Sequence, residues 1–386
     1  MACAVFPPEE FEARVSQTQG RMARVGIEAL LLTTDADIRY FTGFLTRFWE
    51  SPTRPWFLVL PAEGKPIAVI PSIGAPLMRR TWLDDIRTWR APNYDDDGVS
   101  LLVDTLGSVT SKDGMIGLPG GNGTHLRMPV QDWARVRALL PGRRFGDDKG
   151  LMAAQRMVKS EAEVRAIAKT CAIANRAFDR VPEVATAGVP LSEVFRRFQI
   201  LCLEEGADWV PYLAGGAGQG GYRDVISPAD DRPLAVGDVL MLDTGLICDG
   251  YFCDFDRNFS VGPASNKVKS GHARLIEATQ AAYQAARPGQ TAADLFNVMD
   301  DILTVGQGGS DAGRLGHGVG LQLTEPPSLI AEDHTVLAPG MVLTLEPGID
   351  MDDGQIMVHE ENIVIRDAGA EWLSAPSGAW IRTLTA

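Results

Sequence analysis

The chain has 386 residues, 45% of them apolar, which excludes both a disordered chain and a single small core and leaves room for two domains. Fifty acids against 36 bases give a net charge of −14, and no basic patch interrupts it, so nucleic acid and membrane surfaces are not expected partners. No apolar run reaches the roughly 18 residues of a membrane span, the opening residues lack the cationic start of a signal peptide, and the five cysteines (Cys3, Cys171, Cys202, Cys248, Cys253) show no CxxC spacing, which points to a reducing cytoplasm.

From Glu9 to about Gly150, helical periodicity alternates with short apolar runs. Phe11, Val15 and Met22 share one helix face, and residues 29–32, 56–60 and 66–70 read as strands, so this part is a small α/β domain. Between them Arg47, Phe48, Trp49 and Trp56 belong to a proline-containing loop, a candidate for closing the site of a second copy in a homodimer. Ser160 and Glu163 form a capping box that opens a long helix to about Val181, which puts the domain boundary near 150–158: an N-terminal domain of residues 1–154 and a C-terminal domain of residues 155–386.

The C-terminal part repeats itself. Leu234-Ala-Val-Gly-Asp-Val-Leu-Met-Leu-Asp-Thr-Gly245 returns 103 residues later as Leu337-Ala-Pro-Gly-Met-Val-Leu-Thr-Leu-Glu-Pro-Gly348, identical at seven of twelve positions, with Asp243 falling on Glu346. Gly188 and Gly289 each precede a matching helix start. In the first half Asp249-Gly250 is a hairpin turn that sets Asp243 opposite Asp256 and Gly245 opposite Asp254. In the second half Asp353-Gly354, read as the same turn, sets Glu346 opposite Glu361. Carboxylates facing one another across strands destabilise a sheet unless a cation relieves them. His317, flanked by glycines in Leu315-Gly-His-Gly-Val-Gly320, completes an oxygen-rich donor set of Asp243, Asp254, His317, Glu346 and Glu361. Such a set suits two divalent ions, Mn, Fe or Co, and zinc less well.

At these residues the chain resembles the pita-bread metallohydrolases: methionine aminopeptidase, prolidase, aminopeptidase P and creatinase. The stretch around Ile38-Arg-Tyr-Phe-Thr-Gly-Phe44 is similar to their creatinase/prolidase N-terminal domain. The resemblance implies an α+β pita-bread catalytic domain behind a smaller α/β domain, and a dinuclear-metal hydrolase of a C–N bond, nominally an Xaa-Pro peptidase. It implies that Asp243 binds one metal, that His317 and Glu346 bind the other, that Asp254 and Glu361 bridge them, and that Glu346 is the general base. Two departures stand out. Thr324 occupies the position where peptidases of the family carry a second histidine, and no histidine lies between Ala207 and Asp243, where Tyr222 and Arg223 follow a glycine-rich run. Tyr222, Arg223 and Thr324 are therefore the candidate substrate contacts, with His359 as a catalytic imidazole in place of the missing ones. A compact-substrate hydrolase of the creatinase or ectoine-hydrolase type, or a lyase of the dimethylsulfoniopropionate-cleaving type, is the alternative, and a non-catalytic binding module the remotest. His125, His272 and His334 are read as surface residues.

Overall fold

The computed structural model describes residues 6–51, 54–307 and 313–386, so that Cys3 and part of the proline-containing loop lie outside the described residues. The chain divides after Arg156 into two compact units.

In the first unit α1 (Pro8–Val25) begins with proline, whose missing N–H costs nothing there, and stops at Gly26 in the left-handed region. Its buried face carries Phe11, Val15 and Met22. The strands β1 (Ala29–Leu32), β2 (Phe57–Pro61), β3 (Ile67–Pro71), β4 (Ile86–Trp89), β5 (Met115–Leu118) and β6 (Arg144–Asp147) form one mixed sheet in the order β4-β3-β2-β1-β5-β6. Helices α2 (Asp35–Thr42), α3 (Ala75–Met78), α4 (Val99–Val109), α5 (Val130–Leu139) and α6 (Leu151–Met157) complete the α/β pattern. Trp56 is buried beneath Phe44, Phe48 and Trp49, with ring centroids 5.4, 6.2 and 5.6 Å away, so these loop aromatics are spent on packing within the unit.

The second unit opens with α7 (Glu161–Asp179), whose capping box pairs Ser160 with Glu163. There follow α8 (Leu191–Glu204), β7 (Trp209–Gln219), β8 (Asp238–Cys248), β9 (Tyr251–Phe252), β10 (Phe255–Val261), α9 (Asn266–Ala285), α10 (Ala292–Leu303), β11 (His317–Gly318), β12 (Glu325–Ser328), β13 (Val342–Leu345), β14 (Gly348–Asp350), β15 (Ile356–Val358), β16 (Glu361–Arg366), β17 (Gly369–Trp372) and β18 (Arg382–Leu384). Two five-stranded sheets result, one ordered β18-β10-β8-β7 with β9 on β8, the other β12-β11-β13-β16-β17, and β14 pairs with β15. The sequence repeat is a structural one. Gly188 N–H donates to Leu234 O at 2.8 Å and Leu234 N–H to Val189 O at 2.9 Å; in the second half Gly289 N–H donates to Leu337 O at 3.2 Å and Leu337 N–H to Gln290 O at 2.7 Å. Among the described residues no helix is long and apolar enough to cross a membrane.

The first hairpin has the expected register, Asp243 opposite Asp256, because Asp249 and Gly250 both take positive φ and close a two-residue turn. The second does not. Asp350 pairs with Ile356 around a three-residue turn, Asp352–Gly354, so Leu345 rather than Glu346 faces Glu361. A slip of one residue exchanges the faces of a strand.

Candidate metal centre

Asp243 projects from β8, a strand buried along its whole length. Asp254 stands between β9 and β10, where Asn362 clamps its backbone: the Asp254 N–H donates to Asn362 Oδ1 at 3.0 Å, and the Asn362 amide donates to Asp254 O at 2.5 Å. His317 starts β11. Gly316 before it has φ 140, and a Cβ there would lie 2.3 Å from Thr344 O, so only glycine lets the chain pass and present the imidazole. Glu346 follows β13, and Glu360 sits in the break between β15 and β16.

These elements converge. One donor atom from each of Asp254, His317 and Glu346 lies within 4.8 Å of the others, and the same holds for Asp243, Asp254 and Glu360. Asp254 belongs to both groups. His317 Nδ1 lies 2.8 Å from Gly318 O, which can only accept, so Nδ1 carries a proton, and Nε2 faces Glu346 at 2.9 Å and Asp254 at 3.3 Å. Asp243 Oδ1 is buried with no hydrogen-bond partner among the described residues, while the Tyr212 side chain favours the ionised form of the same carboxyl.

The electrostatics are those of a cation site. Burial raises the Asp243 carboxyl well above the usual range, and Asp254, Asp256 and Glu346 raise it further. Burial, then Asp243, Glu346 and Asp254, does the same to Glu360. Burial lifts Asp254 to about 6 against the pull of His317. Burial opposes charge on His317, but Glu346 and Asp254 outweigh it and lift its pKa to about 10. Four carboxylates thus share one patch with a single imidazole, a donor set that fits divalent cations.

A second cluster lies beside it and is balanced. Glu361 turns away from the first, accepting from Arg257 Nη2 at 3.0 Å, the Ser377 N–H at 2.7 Å and the Ser374 hydroxyl. His359 bridges Asp256 through Nδ1 at 3.1 Å and Glu361 through Nε2 at 3.2 Å. Burial works against its charge, yet the two carboxylates raise it to about 9. Two anions and two cations thereby neutralise one another.

The structure therefore alters the expected site. Glu360, not Glu361, joins the cluster, because the turn is one residue longer than Asp353-Gly354 alone implies. His359 is buried, with both ring nitrogens engaged, and is no free imidazole. Tyr222 is also core: its hydroxyl accepts the Val358 N–H at 2.6 Å and lies 3.2 Å from Asn258 Oδ1, which uses its single proton. Arg223 lines a cavity of about 390 Å³ with the glycine-rich β7, and Thr324 is exposed, accepting from Arg314 at 3.3 Å. His125 and His334 are exposed, but His272 is buried on α9, its ring 6.3 Å from His359 and its pKa lowered to about 4 by burial and by that neighbour. Tyr212, Arg314 and Glu360 are the residues that sequence reasoning passed over.

Residues 165–367 match the model of metallopeptidase family M24, and residues 14–158 match the creatinase/prolidase N-terminal domain. The chain belongs to metallopeptidase family M24. The probable dipeptidase PepE of Mycobacterium tuberculosis (strain ATCC 25618 / H37Rv) is 28% identical over 372 residues, 95% of this chain and 94% of that one. The Xaa-Pro dipeptidase of Pyrococcus horikoshii is 34% identical over 223 residues, 57% of this chain and 63% of that one. The crystal structure of dipeptidase PepE from Mycobacterium ulcerans superposes with a TM-score of 0.84 at 27% identity, over 99% of this chain and 100% of that one. As an M24 member the chain is a metal-dependent hydrolase, in which a creatinase-type N-terminal domain is followed in sequence by a pita-bread catalytic unit.

Proposed function

We propose that this M24 enzyme is a dipeptidase working with two divalent transition metals held by Asp243, Asp254, His317, Glu346 and Glu360. The observation that carries the reading is the composition of the cluster: its four carboxyls, once ionised, carry four negative charges, which two divalent ions would balance. Asp243, Asp254 and Glu360 would hold one ion and Asp254, His317 and Glu346 the other, Asp254 being common to both donor groups. Mostly oxygen donors favour Mn, Fe or Co over zinc. Metals bound there would supply Lewis acidity, polarising the scissile carbonyl and making water acidic enough to ionise near neutral pH. Glu346, held by the Thr344 hydroxyl and still reached by solvent, takes the proton of the attacking water and passes it to the leaving amine.

A dipeptide is the favoured substrate because relatives matching nearly the whole chain are named dipeptidases. Among the described residues no free imidazole beyond His317 stands at the centre, which favours, as a second reading, a compact amide. A reducing cytoplasm suits the buried, unpaired Cys171, Cys202, Cys248 and Cys253 of the described residues, and light scattering checks the homodimer anticipated from the sequence. The deciding experiment is elemental analysis of the purified protein, followed by assays of Ala-Pro, Leu-Pro, Ala-Leu and ectoine with Mn²⁺, Fe²⁺ or Co²⁺ and with a chelator. Two metals per chain and chelator-sensitive dipeptide cleavage are expected; protein that binds no metal, or loaded enzyme that cleaves only ectoine, overturns the reading.

A further inference from the structure

One cation at the rim of the centre takes no part in the ligand cluster. Arg314 stands three residues before His317, and its neighbour Leu315 accepts the Glu346 backbone N–H at 3.0 Å, which fastens this segment to the end of β13. Its guanidinium is exposed and donates to the Thr324 hydroxyl at 3.3 Å. Among the described residues it has no ion-pair partner, although its charge reaches Asp254 and Glu346. Thr324 is anchored on the β8 side of the centre. Its neighbour Leu323 lies 2.2 Å from where a Cβ of Gly245 would stand, two residues along β8 from Asp243, and Tyr212 lies against the same glycine.

Arg314 and Thr324 thus meet across the mouth of the centre. A guanidinium has five N–H donors in a rigid fork that matches a carboxylate, and a single bond to a neutral hydroxyl leaves most of them and the whole charge for another partner. In a dipeptide one residue, roughly 3.3–3.6 Å of chain, separates the scissile bond from the free carboxylate, so a receptor for that carboxylate has to stand on the rim itself. A longer peptide puts a neutral amide at the same place. Divalent ions would balance the cluster and so remove its repulsion of an anion.

We propose that Arg314, steadied by Thr324, binds the free α-carboxylate of the substrate and so selects dipeptides over longer or C-terminally blocked peptides. This rests on the dipeptidase reading, and the test separates the two. The full-length, metal-loaded enzyme is assayed on the best dipeptide of the panel and on its C-terminal amide, as wild type, Arg314→Gln and Arg314→Lys, with metal content measured for each. Wild type is expected to prefer the acid. Arg314→Gln, with metal content unchanged, should lose on the order of 10- to 100-fold in kcat/KM on the acid, chiefly through KM, and little on the amide; this is the loss of one charged hydrogen-bonding partner. Arg314→Lys should recover part of it. In calorimetry, proline should bind wild type more tightly than prolinamide does, and Arg314→Gln should erase that difference. If the acid-to-amide ratio is the same in wild type and Arg314→Gln, the carboxylate assignment is wrong while the dipeptidase reading stands. If the loaded wild type cleaves no dipeptide, both fall.

Discussion

Glu360 and Glu361 are neighbours in sequence with opposite fates, and neutralising each in turn separates them by sign. Glu361 accepts from Arg257 at 3.0 Å, from the Ser377 N–H at 2.7 Å and from the Ser374 hydroxyl, and it sits 3.2 Å from His359. Burial disfavours its charge, but Arg257 and His359 hold its carboxyl below the usual range, so the ionised form is the one the fold uses. Glu361→Gln leaves two buried cations with Asp256 alone. Removing one partner of a buried pair costs roughly 3–5 kcal/mol, which at about 2–4 °C per kcal/mol for a unit of this size lowers Tm by roughly 6–20 °C. Glu360 is the reverse case: burial and four like charges hold its carboxyl well above the usual range, so Glu360→Gln removes repulsion and raises the Tm of chelator-treated protein. The same change removes a donor from the Asp243–Asp254 group, so bound metal falls to one ion or none. Scanning calorimetry of chelated protein and elemental analysis of loaded protein read both effects. If Glu361→Gln sheds metal while Glu360→Gln keeps two ions, or if both variants shift Tm in the same direction, the division into a metal-binding cluster and a self-neutralised one is wrong.

Other consequences follow from the same geometry. Glu346→Gln should lower kcat on the best dipeptide by roughly 10²–10⁴-fold; full turnover with two metals still bound would remove Glu346 as the base. Asp243, Glu360 and Asp254, the last at about 6, have folded-state pKa values above their unfolded ones, so the folded chelated protein binds more protons than the unfolded chain and its stability falls as pH rises through those values. Its Tm should therefore drop between pH 5 and 8, whereas Mn²⁺ binding, which expels those protons, should tighten over the same range; a chelated Tm that climbs with pH contradicts this. Gly316→Ala should lose metal and stability together, since its Cβ would meet Thr344 O at 2.3 Å, and retention of two ions would show that the approach is not needed.

The sequence makes legible what local rules govern. The capping box at Ser160 and Glu163 places α7, and buried apolar runs place β1, β2 and β3. Asp249-Gly250 fixes the first hairpin's register because a two-residue turn leaves no freedom. Asp353-Gly354 carries the same signature, and both residues take positive φ, but Asp352 joins the turn; an Asp-Gly pair serves either loop length, so sequence alone cannot choose. That one residue exchanged Glu360 with Glu361 and turned His359 from a candidate imidazole into a buried cation. Tyr212 was hidden by the irregularity in β7 between Trp209 and Tyr212, which resets the alternation of faces. Arg314 lies in a loop, where no periodicity points anywhere, and only the hydrogen bond from Glu346 to Leu315 brings it to the rim.

The duplication explains why the centre needs ions instead of internal counter-charges. Each half contributes an incomplete set: the β8–β10 hairpin brings Asp243 and Asp254, and the second half brings His317, Glu346 and Glu360. Had Arg257 faced this cluster, it would have formed the ion pairs that it makes with Glu361 instead, and the carboxylates would be occupied. Strand alternation prevents that, since Glu360 and Glu361 leave the chain on opposite sides and the protein's cations, Arg257 and His359, are packed on the Glu361 side alone. The Glu360 side keeps carboxyls with raised pKa values and the orphaned Asp243 oxygen. A fold that could place two cations a few ångströms away and yet leaves four carboxylates to one imidazole meets the cost of their repulsion through metal binding, so metal affinity and stability of the catalytic unit are one quantity measured twice.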